Sequence, residues 1–358
     1  MKKVMVGMSG GVDSTVTAML LKEQGYDVTG ATLRLFSDED IKEAQKEGKT
    51  CCALSGLDDA AAVSSMMEIP HIVLDRREDF RSYVMGDFCE SYFSGRTPNP
   101  CIRCNRFLKF GSMLDYALEN GFDFIATGHY AVSEYNEETG RWLLKRPVDM
   151  SKDQTYVLYS MTQKQLAHTL FPLGNLEKSE VRAMAEKSGM VNCNKPDSQD
   201  ICFVPDGDYA GFIRSFSGKT SPCGSFIDMD GNILGEHKGI INYTIGQRKG
   251  LGIALGRPAY VVKKDTENNT VVLGEEKDLY TRSFMVEDMN LISVAEITEP
   301  LHISVKTRYS QREQPVTLSN LGDGRCLAEF DEPQRAVTSG QAAVFYDGDT
   351  VVCGGTII

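Results

Sequence analysis

Ser9-Gly10-Gly11-Val12-Asp13-Ser14 follows the apolar run Val4-Met5-Val6 directly and precedes the helical run Thr15 to Lys22. A strand, a glycine turn and a helix in that order suit a pyrophosphate-binding loop. Backbone N–H groups of the turn face the anion, and the positive end of the new helix supports it. Glycines fit because, without a Cβ, they accept positive φ and let the backbone approach a ligand closely. Ser9 and Ser14 offer hydroxyls, and Asp13 offers a hydrogen-bond acceptor or a magnesium contact. No lysine follows Gly11, so the Walker ending is absent. Attack at an α-phosphate with loss of pyrophosphate fits this loop better than γ-phosphate transfer. An ordinary strand-turn-helix corner explains two glycines but not the serines, the aspartate and the N-terminal position together.

Outward from the loop, short β-branched runs alternate with amphipathic ones up to about residue 130. Val4–Val6, Asp27–Leu33, Ile72–Leu74 and Phe124–Thr127 read as strands, and 14–24, 57–67, 77–93 and 105–119 as helices. Such alternation implies an α/β fold with a doubly wound parallel sheet. In the last of these helices Phe107, Phe110, Leu114, Ala117 and Leu118 recur at helical spacing as core, and Gly121 ends it. The charged segment from Ser37 to Cys52 is an insertion at the carboxyl end of the second strand, the edge where such sheets bind ligands. Residues 131–147 read as a surface hairpin around Asn136 to Gly140, and helical patterns return at 162–169 and 177–188.

From about residue 206 the pattern changes to short strands with Gly and Asn/Asp turns, an all-β region. The expected organisation is a catalytic domain over 1–205, a small β-rich central domain over 206–280 and a C-terminal β-barrel domain over 281–358.

The chain has 358 residues, 41% hydrophobic and 25% charged, enough for two or three cores. It is not disordered, and no run nears the roughly 18 apolar residues of a membrane span. A beginning in a strand rather than a signal peptide points to a cytoplasmic protein with no membrane partner. A net charge of −12 disfavours nonspecific nucleic-acid binding but leaves room for a local basic face. Basic residues gather at Arg103-Arg106-Lys109, Arg141-Lys145-Arg146-Lys152, Lys187-Lys195 and Arg248-Lys249, with scattered solvated charge as the alternative at each.

Ten cysteines in a long chain without a signal read as metal-binding or catalytic candidates mixed with buried ones. Cys101 and Cys104 lie in Thr97-Pro98-Asn99-Pro100-Cys101-Ile102-Arg103-Cys104-Asn105, a proline-stiffened loop just before a helix. The helix dipole, Arg103 and Arg106 there favour thiolate. Cys202 follows Asp197-Ser198-Gln199-Asp200-Ile201, at the seam between the α/β and β parts. Two such cysteines can act as a sulfur carrier and its resolving partner, ending in sulfide release or a disulfide. Cys51, Cys52, Cys89, Cys193, Cys223, Cys326 and Cys353 are left as structural, as are His71, His168, His237 and His302. Tyr243 to Ile253, with Gln247, Arg248 and Lys249 between glycines, reads equally as a loop gripping RNA backbone or as a hairpin turn.

The loop resembles that of the PP-loop ATP pyrophosphatase superfamily (adenine nucleotide α-hydrolase-like). Over its whole length the chain is similar to the tRNA-specific 2-thiouridylases, through GMSGGVDS at 7–14, GRTPNPCIRCN at 95–105, TGHYA at 127–131, KDQTYVLY at 152–159, DSQDICF at 197–203, YTIGQRKGLGI at 243–253 and SGQAAVFYDGD at 340–349. The resemblance implies sulfur transfer to carbon-2 of the wobble uridine of tRNA, after ATP has adenylated the uracil oxygen. It places ATP at Gly7, Met8, Ser9, Gly10, Gly11, Val12, Asp13, Ser14, Leu33 and Gly128. It gives catalysis to Cys104 and Cys202, with Cys202 carrying a persulfide from an upstream donor such as a cysteine desulfurase or relay protein. It sets Asn99, Pro100 and Cys101 beside the target base, Lys152, Asp153, Gln154, Arg308 and Tyr309 against tRNA, and ties His129 and Gln341 to tRNA selectivity. Magnesium would neutralise the departing pyrophosphate.

One departure stands out: many family members have Asp where this chain has Cys101. The change creates Cys101-x-x-Cys104, and with Cys202 three thiolates could hold a [4Fe-4S] cluster that delivers sulfide directly. The persulfide route is the first reading and the cluster its alternative. Rivals of other kinds are a different PP-loop adenylating synthetase, which needs no paired cysteines, and a nucleotide-regulated RNA-binding or iron–sulfur sensor without turnover.

Overall fold

Val4, Met5 and Val6 are fully buried at the centre of a five-stranded parallel sheet. The architecture comes from a computed structural model that describes residues 1–37, 52–189 and 201–358. The charged segment 38–51 with Cys51, and 190–200 with Cys193, Lys195 and Asp197-Ser198-Gln199-Asp200, lie outside the described residues.

Along the first 170 residues run β1 (Lys3–Gly7), β2 (Asp27–Arg34), β3 (His71–Asp75), β4 (Phe124–Ala126), the hairpin β5 (Val132–Asn136) and β6 (Arg141–Lys145), and the short β7 (Thr169–Leu170). The sheet order is β3-β2-β1-β4-β7, every pairing parallel. Strand order reverses at β1, and the crevice beyond its carboxyl end is where doubly wound sheets take ligands. The expected strands match these bounds closely, because a strand covered on both faces reads as a continuous apolar run.

Among the described residues the longer helices flanking this sheet are α1 (Val12–Glu23), α2 (Cys52–Met66), α3 (77–93), α4 (100–119) and α5 (Lys178–Lys187). Each of α3 and α4 contains a widened π stretch, Arg81–Gly86 and Asn105–Ser112. Val181 and Ala185 of α5 pack on Val12 and Val16 of α1, which brings the start of α5 to the turn between β1 and α1.

Beyond residue 206 the chain is not all-β. Helix α6 (Tyr209–Ser217) starts on the Asp208 carboxylate, which accepts from Gly211 N, and ends at Gly218 with φ 65°. Phe212 and Phe216 at i,i+4 seat it. Next comes a four-stranded sheet of β8 (Gly224–Ile227), β9 (Ile233–His237), β10 (Tyr260–Asp265) and β11 (Thr270–Gly274), around Phe226, Val261 and Leu273.

The C-terminal strands β12 (Tyr280–Leu291), β13 (Leu301–Lys306), β14 (Gln314–Asn320), β15 (Cys326–Arg335), β16 (Ala342–Asp347) and β17 (Thr350–Ile357) form a closed barrel, sealed where β12 pairs with β17. Closure removes the exposed edges that an open sheet carries. The β5–β6 hairpin is not a free surface feature: Lys145 pairs with Thr350, adding it to β17. Phe110, Met113 and Leu114 of α4 share one core with Val344, Tyr346 and Val351 of the barrel. Each such large side chain, fully buried, contributes about 1.5–3 kcal/mol, so sheet and barrel hold one another.

Candidate active site

β1 ends at Gly7 and α1 begins at Val12, so Met8 to Gly11 is the turn. Gly10 sits at φ 71°, and a Cβ there would lie 2.6 Å from Gly56 O of α2. Only glycine fits such a position. The Ser14 hydroxyl donates to Gly11 O at 3.0 Å, holding the first turn of α1. Met8 points away from the crevice, 2% exposed in the core beneath β2, while Thr32 Oγ1 donates to its carbonyl at 2.8 Å. Only its backbone is left to face the turn.

Asp13 acts as an acceptor here. Lys178 Nζ is 2.7 and 2.8 Å from its two oxygens, and Tyr130 Oη donates to Oδ1 at 2.9 Å. Neither partner was picked out from sequence. The signal available was Glu177-Lys178-Ser179-Glu180, where carboxylates at N-cap and N3 close a capping box and fix Lys178 at the start of α5. Gly128, just after β4, approaches the same loop: a Cβ on it would be 2.8 Å from Asp13 C and 2.9 Å from Ser14 N. Leu33, near the end of β2, packs on the apolar cluster that also receives Cys104, Ile201 and Phe203. Beyond it a cavity of about 580 Å³ opens between Leu35, Ser37 and Asp75 to Arg77.

The cysteine motif is corrected by the structure. The expected helix starts at 105, but α4 starts at Pro100, so Cys101 and Cys104 lie inside it rather than in a preceding loop. Asn99 is the N-cap, its Oδ1 accepting from Cys101 N at 3.1 Å, and Pro100 is the first helical residue. Asn-Pro was the overlooked start signal. The expected thiolate bias also shifts. Burial pushes the thiols of Cys104 and Cys101 up, Cys101 despite an exposed side, and the opposing charge comes from Lys109. Arg103 and Arg106 are committed to Asp87 and Asp288.

Cys202 is exposed, while its neighbours Ile201 and Phe203 anchor the segment on the cluster beneath Cys104. Phe203 packs edge-on to Phe80 and Phe88 at 5.8 and 5.3 Å. The two thiol-bearing segments therefore share one apolar bed. Cys101, Cys104 and Cys202 carry no disulfide. Among the described residues no group of three or more His, Cys, Asp or Glu side chains is placed to hold a metal.

Most residues assigned to tRNA by resemblance brace the walls of the site. His129 is buried at 8% exposure, its Nδ1 2.8 Å from Thr127 Oγ1. Burial, then the charge of Lys109, holds its imidazole well below the usual range. Asp153 is buried between Lys306 at 3.3 Å and Arg146 at 3.7 Å. Gln154 Oε1 accepts from Tyr130 N at 2.9 Å. Gln341 Nε2 donates to Thr97 O at 2.8 Å, tying the barrel to the loop before Cys101. Arg308 donates to Ala336 O and Thr338 Oγ1 at 2.7 and 2.8 Å. Tyr309 is exposed, its ring edge-on to Tyr156 at 6.0 Å, and Lys152 is half-buried. Of the basic groups, Arg141 holds the carbonyls of Leu291 and Ile292, and Lys145 and Arg146 meet carboxylates. That consumes much of the expected basic face.

Family models cover nearly the whole chain: a tRNA methyl transferase HUP domain over residues 2–206, a tRNA methyl transferase PRC-barrel domain over 211–275 and an aminomethyltransferase beta-barrel domain over 281–357. The tRNA-specific 2-thiouridylase MnmA of Acetivibrio thermocellus is 53% identical, covering 99% of each chain. The chain belongs to the tRNA-specific 2-thiouridylase family. That of Clostridioides difficile is 51% identical over 99% of this chain and 98% of its own. In Lachnoclostridium phytofermentans the 2-thiouridylase is 51% identical over all of both chains. Among solved structures, a 4-thiouridine synthetase–RNA complex with bound ATP aligns with 61% of this chain and 52% of its own, at 15% identity and TM-score 0.34.

Proposed function

We propose that this 2-thiouridylase family member makes 2-thiouridine in tRNA by adenylating a uracil oxygen and replacing it with sulfur. The observation that carries the reading is the placement of two thiol segments, around Cys104 and Cys202, on one apolar bed that also receives Leu33 at the nucleotide edge of the sheet. A urea-like oxygen leaves poorly and AMP leaves well, so activation precedes sulfur attack.

ATP lies along Gly7 to Ser14, with backbone N–H groups and the start of α1 receiving its phosphates and Lys178 adding a cation behind Asp13. Leu33 and Gly128 bound the adenosine side. Magnesium, where bound, offsets the charge of the departing pyrophosphate.

In the sulfur step the terminal sulfur of a Cys202 persulfide forms a bond to carbon-2, and AMP leaves with the former uracil oxygen. The Cys104 thiolate attacks Cys202 Sγ, breaks the sulfur–sulfur bond and leaves 2-thiouridine and a Cys104–Cys202 disulfide. A dithiol reductant supplies the two electrons that reset the pair. The sulfur enters from an upstream persulfide donor. No step is assigned to a [4Fe-4S] cluster.

Purified protein, ATP, magnesium, a persulfide source and unmodified tRNA test the reading, with nucleosides separated by mass after digestion. The expected product is 2-thiouridine, without need of iron. A methylated nucleoside, or no modified nucleoside with or without anaerobic iron reconstitution, overturns it.

A further inference from the structure

The helix that carries Cys101 and Cys104 widens just after them. Met113 N donates to Leu108 O, five residues back, and a Cβ on Gly111 would lie 2.9 Å from Arg106 O. In a regular α-helix a residue five positions on is turned about 140° from its starting point, but at the roughly 4.4 residues per turn of a π stretch the offset is about 50°. Lys109 stands five positions after Cys104. The widening swings it back toward the face of the thiols.

Other cations of this helix point their charge elsewhere. Arg103 pairs with Asp87 at 3.0 Å and Arg106 with Asp288, and both lie over the Phe107 ring. Lys109 is half-buried and, among the described residues, has no carboxylate partner. Its charge acts on Cys104, on Cys101 and on His129 of the loop after β4. Phe110 beside it packs on the His129 ring at 5.7 Å.

We propose that Lys109 is the positioning cation of the thiol turn, standing on the face of Cys104 so that its ammonium offsets part of the penalty that burial sets on the sulfur anion when it forms. An ammonium beside a partly buried sulfur favours the form that attacks a disulfide or persulfide. The remaining titratable neighbours do not compete. His129 is neutral at pH 7, Tyr159 is pushed up to about 12 by burial, and Cys101 opposes the charge on Cys104. The inference builds on Cys104 as the reacting thiol, yet its test needs no turnover.

Peptide-resolved iodoacetamide labelling of the full chain across neutral to alkaline pH is the test, with melting temperature as a check of folding. Lys109→Met is expected to slow Cys104 labelling at neutral pH by about three- to tenfold and to move its pH profile alkaline. Lys109→Gln, a second neutral variant, should do the same, Lys109→Arg should restore the profile, and exposed Cys223 should label unchanged throughout. A native Cys104 profile in a folded Lys109→Met or Lys109→Gln variant overturns the proposal. If the native chain makes no 2-thiouridine but Cys104 labelling depends on Lys109, the functional reading fails and this inference stands.

Discussion

Lys178 Nζ closes on both carboxylate oxygens of Asp13, at 2.7 and 2.8 Å, and so fastens the start of α5 to the phosphate loop. The next link runs through backbone: Lys178 N donates to Asp149 Oδ2 at 3.1 Å, and Asp149 Oδ1 accepts from Ser151 at the edge of Lys152-Asp153-Gln154. The loop after β1 and the segment Lys152-Asp153-Gln154 are thus joined by one chain of polar contacts.

Lys178→Met removes two charge-assisted hydrogen bonds from a carboxylate that is one-third exposed, at a cost of about 1–3 kcal/mol. A melting-temperature drop of several degrees, with tRNA-dependent pyrophosphate release reduced at least about tenfold, is the expected outcome. Unchanged pyrophosphate release would remove Lys178 from the nucleotide site.

Gly128→Ala places a methyl group against Asp13 and Ser14 backbone, where nothing can yield cheaply. Overpacking of this kind costs about 1–3 kcal/mol. Calorimetry should show the loss, and ATP should protect the variant against heat less than it protects the native chain. Equal protection would mean that the β4 loop does not press on the nucleotide site.

Asp153 is 3% exposed at its side chain and faces Lys306 and Arg146. Asp153→Ala takes the carboxylate from Lys306 and leaves Arg146 with Glu313 at 2.6 Å, and removing the partner of a buried cation in the seam between sheet and barrel costs about 3–5 kcal/mol. Because α4 and the barrel share a core, unfolding should fall to lower temperature as one event. A separate early transition of the barrel would contradict the shared core.

Lys264 donates to Tyr243 O at 3.1 Å and lies 5.7 Å from the Tyr92 ring. Burial pulls its ammonium down to about 8 from 10.5. Between those values the unfolded chain holds a proton that the folded chain has released, so its contribution to stability rises with pH through that window and is lost as pH falls through about 8. Tyr92, pushed up to about 12 by burial, is silent there. Denaturant melts of the native chain should gain on Lys264→Met as pH rises through the window; parallel curves would contradict the shift.

The strand–turn–helix corner after β1 and the parallel sheet were legible because apolar runs, glycines and a helix start are local signals. Helix α6 was missed because its cap, Asp208, sits among turn residues that match a strand-rich region equally well. The start of α4 was missed for a related reason: Pro98 and Pro100 suggested a stiff loop, although Asn99-Pro100 is also a cap and first turn. Long-range partners were illegible in principle. Nothing local to Asp13 names Lys178, and nothing in the 132–145 hairpin names β17.

The most direct test of the account follows the two thiols through one turnover without reductant. Tryptic mass spectrometry after reaction with ATP, tRNA and a persulfide donor should reveal a Cys104–Cys202 linked peptide, rising in step with 2-thiouridine and absent without ATP. Formation of 2-thiouridine with no linked peptide, and at native rate in Cys202→Ser, would contradict it.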